Sequence, residues 1–388
     1  MAIEQTLPVL LVILLLGVIV PELFRMIRLP FIGALIIMGA VLGPNGFNWV
    51  YGDPVLQFFA FLGGAFLMLL AGLEAKLSVL KHSRKEITHM ALINGSVPFI
   101  AGIIVTRLLG YSWTAAFMVG VIFISSSVAI IATTLNHTGL IKKKIGKLIL
   151  STTVIEDIVS LLLLAILVQT TEKLTQIPLP LYFAVLLVSL VGLKIAIPII
   201  AKYFFQKSKK NQYESETRFV LVLLFAVLLY FSGLGVHPIV AAFFVGVLLS
   251  DIVKHKKIYQ KFHIIGYGIF VPVFFFIVGM ELNVQVILSL NFAVIAIVLT
   301  SVLSKILSGY YAARNLGMQK QSAQIFAVAT TPQLTTTLAV TFVGLTSGIL
   351  DEVLVTAILT LSIVTTIISP IAISWLSRSL NQKPSNRG

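Results

Sequence analysis

Long apolar segments recur along the whole chain, and only short polar segments separate them. An α-helix needs roughly 20 apolar residues to cross a bilayer core about 30 Å thick, and these segments approach that length. The pattern therefore predicts an all-α membrane protein of thirteen transmembrane helices, with no soluble domain between the spans. We place the helices near residues 7–24, 31–50, 55–73, 87–108, 113–136, 147–169, 181–203, 218–232, 237–253, 264–281, 291–312, 321–345 and 353–376.

The composition fits a surface that faces lipid rather than water. Charged residues make up 11% of the chain and hydrophobic residues 58%, whereas soluble proteins are about one quarter charged. There is no cysteine, which excludes disulfides and thiolate metal sites. The six histidines are scattered and the sequence has no phosphate-binding loop, so we predict neither an enzyme nor a bound cofactor.

Basic residues are concentrated in alternate loops. Of the 28 Lys and Arg residues, 24 fall in every second loop or in the C-terminal tail. The positive-inside rule places those segments in the cytoplasm. We therefore predict an outside N-terminus and a cytoplasmic C-terminus, in the inner membrane of a bacterium or archaeon. The same rule accounts for the formal charge of +14, so no nucleic-acid partner is expected.

Two parts of the chain resemble each other at a constant separation. Gly39 is matched by Gly246, and residues 66–74 are matched by residues 273–281, in both cases at an offset of 207. This offset corresponds to seven predicted helices, an odd number, so the two halves must have opposite orientations. We predict two inverted six-helix repeats joined by a linker helix at 181–203, an architecture of secondary transporters.

Two unusually polar stretches, residues 125–134 and 330–337, occupy equivalent positions in the two halves. A proline within the second stretch removes a backbone donor and disrupts the helix. Unwound backbone at this depth is tolerated only where it is buried or lines a cavity. We predict crossing broken helices at the midplane; the alternative is ordinary helix packing, which Ser and Thr also favour. The residues expected to line the breaks are Thr133, Thr331, Pro332 and Gln333.

Glu156 and Asp157 form the only acidic pair in the middle of a predicted span. The helical rise puts them roughly 14 Å from the cytoplasmic end of their helix, close to the midplane. Acids at this depth are costly and indicate function, with a static salt bridge that orders the bundle as the alternative. Lys305 is a candidate partner, because it lies about 10 Å from the cytoplasmic end of its own helix.

Over essentially its full length the chain resembles the monovalent cation/proton antiporter superfamily. The branch is the one that includes bacterial sodium/proton antiporters and glutathione-gated potassium/proton systems. The pieces that carry the resemblance are Leu29-Pro30 through Gly43-Pro44, Leu70-Ala71-Gly72-Leu73-Glu74, the stretch 125–134, Glu156-Asp157, Pro272-Val273-Phe274-Phe275 through Gly279, Lys305 and Pro332.

The resemblance implies roles for particular residues. Asp157 would be the ion-binding carboxylate, with Ser126 and Ser127 offering oxygens beside it, and Lys305 would pair with Glu156. It also implies a mobile core that moves against a dimerising scaffold. The core would comprise 87–169 and 291–376, and the scaffold 1–80 and 218–285. We expect the dimer contact at the spans 7–24 and 218–232.

The predicted function is proton exchange for a monovalent cation, so the partners are the two ions, membrane lipid and a second copy of the chain. Sodium exchangers of this superfamily usually carry Asp-Asp or Asn-Asp, and potassium systems Gln-Asp, whereas Glu156-Asp157 is neither. The tail after Trp375 is too short for the nucleotide-binding domain of the gated potassium systems, which favours sodium. A potassium/proton antiporter and a sodium-coupled solute symporter of related fold remain alternatives.

Overall fold

The computed structural model is helical throughout the residues that it describes, which are 2–24, 31–75, 84–172, 178–208, 215–250 and 256–381. No strand occurs in these ranges, in agreement with the predicted all-α class. The Leu29-Pro30 pair, the segments 76–80 and 251–253 and the tail after residue 381 lie outside them. The helices are α1 (Ala2–Phe24), α2 (Phe31–Leu42), α3 (Pro54–Glu74), α4 (Arg84–Leu108), α5 (Trp113–Ile124), α6 (Val128–His137), α7 (Lys144–Glu172), α8 (Leu179–Ser208), α9 (Ser215–Gly233), α10 (Pro238–Leu249), α11 (Lys256–Ile265), a π-helical turn (Gly266–Phe270), α12 (Val271–Met280), α13 (Val284–Leu288), α14 (Phe292–Asn315), α15 (Lys320–Ala329), α16 (Thr335–Thr346) and α17 (Glu352–Asn381).

Within the described residues, nine helical segments are long and apolar enough to cross a membrane. One of them runs through α5 and α6, and another runs from α11 through the π-helical turn into α12. Four more apolar helices are shorter, between 10 and 17 residues: Thr6–Ile19 in α1, α2, α10 and α16. Each predicted segment overlaps one of these helices, and thirteen membrane crossings stay a prediction.

The predicted helix at 31–50 is too long. Helix α2 ends at Leu42, and the next residues turn back so that the backbone N–H groups of Trp49 and Val50 donate to the Leu42 carbonyl. Pro44 explains the end, because a proline disfavours helical geometry in the residue before it. Helix α3 then begins at an N-cap, where the Asp53 carboxylate accepts 2.8 Å hydrogen bonds from two backbone N–H groups.

Two predicted helices, 113–136 and 321–345, are each split into two half-helices. Residues 125–127 separate α5 from α6, and residues 330–334 separate α15 from α16. Ser125 and Ser127 at the ends of the first break have extended backbone geometry. In the second break Pro332 cannot donate to a helical ladder, which accounts for the interruption.

Four glycines bring two pairs of helices into backbone contact. A Cβ atom at any of them would overlap a carbonyl oxygen of the facing helix, so only glycine fits these crossings. The contacts come in two equivalent pairs. Adding 207 to the residue number of one partner and subtracting 207 from that of the other converts each contact into its counterpart. They are Gly39 with Phe276 and its counterpart Gly246 with Leu69, and Gly279 with Ile36 and its counterpart Gly72 with Phe243.

The helices form two groups. Helices α2, α3, α10 and α12 pack together through the contacts of the four glycines. We call these four contacts the glycine interlock. Helices α4, α5, α7, α14, α15 and α17 form the second group. The half-helices connect the groups, because α16 contacts both α3 and α5, and α6 contacts both α3 and α7. The unwound segments therefore lie in the second group, next to helices of the first.

Candidate functional site

Helix α7 carries both midplane acids. Glu156 and Asp157 are each 1% exposed, and α7 begins at Lys144, so Glu156 lies roughly 18 Å along the helix axis. Consecutive helical residues point about 100° apart. The two carboxylates therefore meet different neighbours, and their surroundings differ in charge.

Glu156 is fully engaged by hydrogen-bond donors. Lys305 Nζ lies 2.9 Å from Glu156 Oε2, and both side chains are completely buried. Asn94 Nδ2 donates to Glu156 Oε1 at 2.7 Å, and Ser126 Oγ donates to Oε2 at 3.3 Å. The structure thus brings together the acid and the lysine that sequence reasoning paired. A buried ion pair needs such additional hydrogen bonds to offset its desolvation.

Lys305 also ties the pair to the first helix break. Its ammonium donates to the Ile124 carbonyl at 2.6 Å, and Ile124 is the last residue of α5. Carbonyls at a helix C-terminus lack intrahelical donors and carry partial negative charge. The break at 125–127 therefore supplies Lys305 with a second acceptor that an unbroken helix would not expose.

Asn94 is a site residue that the sequence analysis missed. It is fully buried, and besides donating to Glu156 it accepts a 3.0 Å hydrogen bond from Ser308 Oγ. The available signal was an amide in the middle of the apolar segment 87–108. Nothing in the sequence indicated that its partner would be Glu156, because the two residues are 62 positions apart.

The two unwound segments bond directly to each other. The backbone N–H of Ser127 donates to the Pro332 carbonyl at 2.6 Å. Ser126 Oγ donates to the Thr330 carbonyl at 2.6 Å. These bonds satisfy backbone groups that the breaks release, as burial in an apolar environment requires. A further contact joins the Ser125 and Thr337 hydroxyls at 2.9 Å.

Asp157 lies among oxygens that are not fully paired. The Thr336 side chain and the backbone of Ser126 are next to its carboxylate. Asp157 Oδ1 is buried and has no hydrogen-bond partner among the described residues, and the same is true of Ser127 Oγ in the first helix break. Buried polar atoms are nearly always paired, so unpaired ones require an explanation such as a bound ion. Oxygen ligands of this kind suit a hard cation.

This oxygen set differs from a resident metal centre. Among the described residues, no group of three or more His, Cys, Asp or Glu side chains could hold a metal ion. One carboxylate with neutral hydroxyls can neutralise a single positive charge. The arrangement therefore fits a monovalent cation or a proton at Asp157.

The residues predicted to line the second break lie there. Thr331 is buried, and its hydroxyl donates to the Ala327 carbonyl at 3.0 Å. Gln333 is buried as well, and its side-chain amide donates to Ser301 Oγ at 3.0 Å. The backbone N–H of Gln333 donates to Thr365 Oγ1 at 3.1 Å. Hydroxyls of α14 and α17 thus accept hydrogen bonds from the unwound segment beside Pro332.

Thr133 does not line the first break, contrary to the prediction. It lies inside α6, which begins at Val128, and its side chain is exposed. Its hydroxyl donates to the Ala129 and Ile130 carbonyls, both at 2.9 Å. Threonine can satisfy its hydroxyl within its own helix, so a polar residue in this stretch need not mark unwound backbone.

An all-helical membrane fold with interrupted helices around buried ionisable groups is that of a secondary transporter. The chain belongs to the transmembrane sodium/hydrogen exchanger family, whose model matches residues 10–379.

Curated relatives agree over nearly the whole length. The probable Na(+)/H(+) antiporter 3 of Methanocaldococcus jannaschii is 32% identical over 364 residues, which cover 92% of this chain and 93% of that protein. The Na(+)/H(+)-K(+) antiporter GerN of Bacillus cereus is 28% identical over 341 residues, covering 86% and 87%. The solved sodium proton antiporter MjNhaP1 of M. jannaschii has a TM-score of 0.73 and covers 99% of this chain and 100% of its own. Its identity is 16%, so this likeness concerns the fold alone.

Proposed function

We propose that the chain is a secondary active transporter that exchanges protons for a monovalent cation, sodium, by alternating access. The observation that carries the proposal is the contrast within the acidic pair. Glu156 is neutralised by Lys305, whereas Asp157 keeps an unpaired buried oxygen. A buried carboxylate without a counter-charge is strongly unfavourable, so Asp157 requires a proton or a cation whenever the site is closed.

Exchange follows from competition at Asp157. The carboxylate takes either a proton or a cation, because its single negative charge neutralises only one of them. The site can therefore move between the two sides of the membrane in either loaded form, but not empty. One pH unit is worth about 1.4 kcal/mol per proton, and this difference drives the cation in the opposite direction.

Ser126 and Ser127 are the proposed neutral ligands of the cation. Both are buried, and the Ser127 hydroxyl has no hydrogen-bond partner among the residues described. Because they lie where α5 is interrupted, their oxygens can move with the two half-helices. The Ser126 hydroxyl also donates a 3.3 Å hydrogen bond to Glu156, so it links the proposed cation site to the Glu156–Lys305 pair.

The Glu156–Lys305 pair is the proposed element of charge coupling. If the pair gains or loses a proton during the transport cycle, the net charge that the moving core carries across the membrane changes. Exchange then responds to the membrane potential. A potential of 100 mV is worth about 2.3 kcal/mol per net charge. The closest support is the complete burial of both side chains.

The proposed architecture has thirteen crossings in two inverted repeats, with the N-terminus outside and the C-terminus in the cytoplasm. The paired contacts of the glycine interlock support the repeat, because they exchange under the same offset of 207 residues that relates the sequences. The scaffold would comprise 1–80 and 218–285, the linker 181–203, and the moving core 87–169 and 291–376. The separate packing of the two helix groups supports this division.

A homodimer through α1 and α9 is proposed for the scaffold. Both helices present large apolar side chains on the outside of the single chain. Native mass measurement in mild detergent with added lipid tests this assembly. A monomer that is fully active after reconstitution would contradict it. The exposed side chains that would meet a partner include Leu7, Leu11, Leu15, Val222 and Leu229.

The decisive experiment is exchange in proteoliposomes that contain a pH dye, with sodium, lithium or potassium added in turn. We expect sodium added outside the liposomes to drive protons out of the lumen, where the dye reports the change. The name of GerN includes potassium, so proton movement with potassium alone would identify a potassium/proton antiporter. Sodium uptake that requires a second solute and moves no protons would identify a symporter instead.

A further inference from the structure

An apolar cleft leads from the outer surface of the second helix group to Glu156. It lies between α4 and α7, has a volume of about 290 Å³ and is lined almost entirely by carbon atoms. Gly95 lies next to Glu156 at its inner end, because a Cβ there would be 4.0 Å from Glu156 Cγ. Other lining residues are Ala91, Leu92, Phe99, Ile155 and Val159.

The mouth of the cleft faces the side of the protein that lipid covers. Leu92 and Val159 line it and are 66% and 41% exposed. On the same helix as Leu92, Ile100 and Ile104 are each 53% exposed, and α4 is apolar enough to span a membrane. Outward apolar side chains on a spanning helix meet hydrocarbon, so the cleft opens sideways into the bilayer.

We propose that this cleft is a binding site for one acyl chain of a membrane phospholipid. Apolar cavities do not hold water, which needs polar partners, and an empty cleft would forgo the dispersion contacts of its walls. The bilayer supplies hydrocarbon at the mouth. The volume corresponds to roughly ten water molecules of liquid, which accommodates several methylene groups of one chain but no headgroup.

The polar groups in the cleft do not favour a different occupant. The Ser96 hydroxyl donates to the Leu92 carbonyl of its own helix, and the Glu156 carboxylate is engaged by Lys305 and Asn94. Neither is free to hold a headgroup or a polar solute. Thr88 is the remaining hydroxyl in the lining, and one hydroxyl does not satisfy a water cluster.

The bound chain has a consequence for the ion pair. Glu156 lines the inner end of the cleft and its side chain is already completely buried, so hydrocarbon in the cleft thickens the apolar layer between the Glu156–Lys305 pair and any water. Electrostatic interactions strengthen where water is excluded. The chain would therefore stabilise the paired state, and this holds whichever cation the protein carries.

Photolabelling of the full-length protein in liposomes tests the site. The bilayer contains a phospholipid with a diazirine in the middle of one chain, and mass spectrometry locates the adducts. We expect adducts on residues inside the cleft, including Ala91 and Ile155. Val159→Phe should abolish these inner adducts by filling the mouth, whereas Val97→Phe should keep them. Val97 is a matched control, since it is 43% exposed on α4 and does not line the cleft.

A second variant closes the inner end without backbone strain. Gly95→Ala places a methyl group 3.6 Å from Ile124 Cγ2 and 4.0 Å from Glu156 Cγ, which are ordinary contacts. It should reduce the adducts nearest Glu156, and Gly192→Ala should not, because nothing lies within 4 Å of a Cβ at Gly192. Inner adducts that survive both Val159→Phe and Gly95→Ala would overturn the proposal, as would labelling confined to outward residues such as Leu92.

The absence of cysteine from the chain allows a direct test for water. The thiol of Val159→Cys should resist a charged maleimide, while Lys142→Cys at an exposed position outside the spans should react readily. Equal reaction rates at the two positions would indicate a water-filled cleft and exclude an acyl chain. A nonreactive thiol together with inner adducts supports the site.

Discussion

The glycine interlock and the site around Glu156 and Asp157 are two crossings of helices built in opposite ways. At the interlock, the atoms of the facing helix nearest to each glycine are backbone atoms. The second crossing joins two unwound segments through hydroxyl and carbonyl groups, and the buried Glu156–Lys305 pair contacts the first of them. Close-packed apolar contacts are rigid, whereas a polar crossing can exchange its partners. We therefore expect the fold to stay constant at the interlock and to change at the second crossing during transport.

Neutralising Asp157 is expected to have the largest effect. Asp157→Asn removes the charge that a cation or proton must neutralise, and it leaves a buried amide of similar size. We expect complete loss of exchange in proteoliposomes with a folded, membrane-inserted protein. Glu86→Gln is the control, because it removes an acid in an exposed ion pair with Lys144, where little stability is at stake. Cation-driven proton flux in Asp157→Asn would remove Asp157 from the site.

Separating Lys305 from Glu156 is expected to be costly for stability and for voltage dependence. Removing one partner of a buried pair costs about 3–5 kcal/mol, so Lys305→Gln should lower the thermal unfolding temperature markedly. It should leave some exchange but weaken its dependence on membrane potential. The double variant with Glu156→Gln should lose less than the two single losses combined.

Exchange in liposomes with a clamped potassium–valinomycin potential provides the measurement, once potassium is shown not to be a substrate. Strictly additive losses in the double variant would mean that the pair is not energetically coupled. Full voltage dependence in Lys305→Gln would assign charge movement to other groups.

Disturbing the glycine interlock should affect stability rather than ion selectivity. Gly72→Ala forces a Cβ into the Phe243 carbonyl, and overpacking of this kind costs about 1–3 kcal/mol. We expect a lower unfolding temperature, while the relative rates with sodium and lithium stay the same in the protein that remains folded. Gly192→Ala has open space for its methyl group and should not lower the unfolding temperature. A changed ion preference in Gly72→Ala would break the proposed separation between the two crossings.

The smallest expected effect is a pH dependence at the end of α12. Glu281 follows the last residue of α12, and burial together with the nearby Glu352 raises its pKa above the ordinary value. A raised pKa means that the folded state holds the proton more tightly, so Glu281 destabilises the fold as pH rises through that range. Glu281→Gln should therefore raise the unfolding temperature at pH 8 and change it little at pH 4. The opposite pattern in thermal unfolding would mean that Glu281 is stabilised as an anion.

The sequence by itself determined the class of the protein and singled out the residues at which its chemistry is proposed. Apolar segments of spanning length predict membrane helices because a bilayer tolerates few other structures. A carboxylate pair in such a segment is conspicuous because it is expensive there. Depth along the helix made Lys305 a candidate partner of the acidic pair, and the family resemblance then implied that this partner is Glu156. Pro332 in a polar stretch likewise predicted an interruption, since proline lacks the donor that a helix requires.

Only the tertiary structure decided which polar groups meet. Asn94 reaches Glu156 from a helix 62 positions away, and Thr133 turned out to satisfy its hydroxyl within α6. Side-chain contacts of this kind depend on how each helix is rotated about its axis, and a difference of one residue turns a side chain by about 100°. The sequence pattern reports how deep a residue lies far better than which neighbour it faces. Glu156 is paired with Lys305, whereas Asp157 has an unpaired oxygen. This difference between the two acids therefore becomes visible only when the helices are packed.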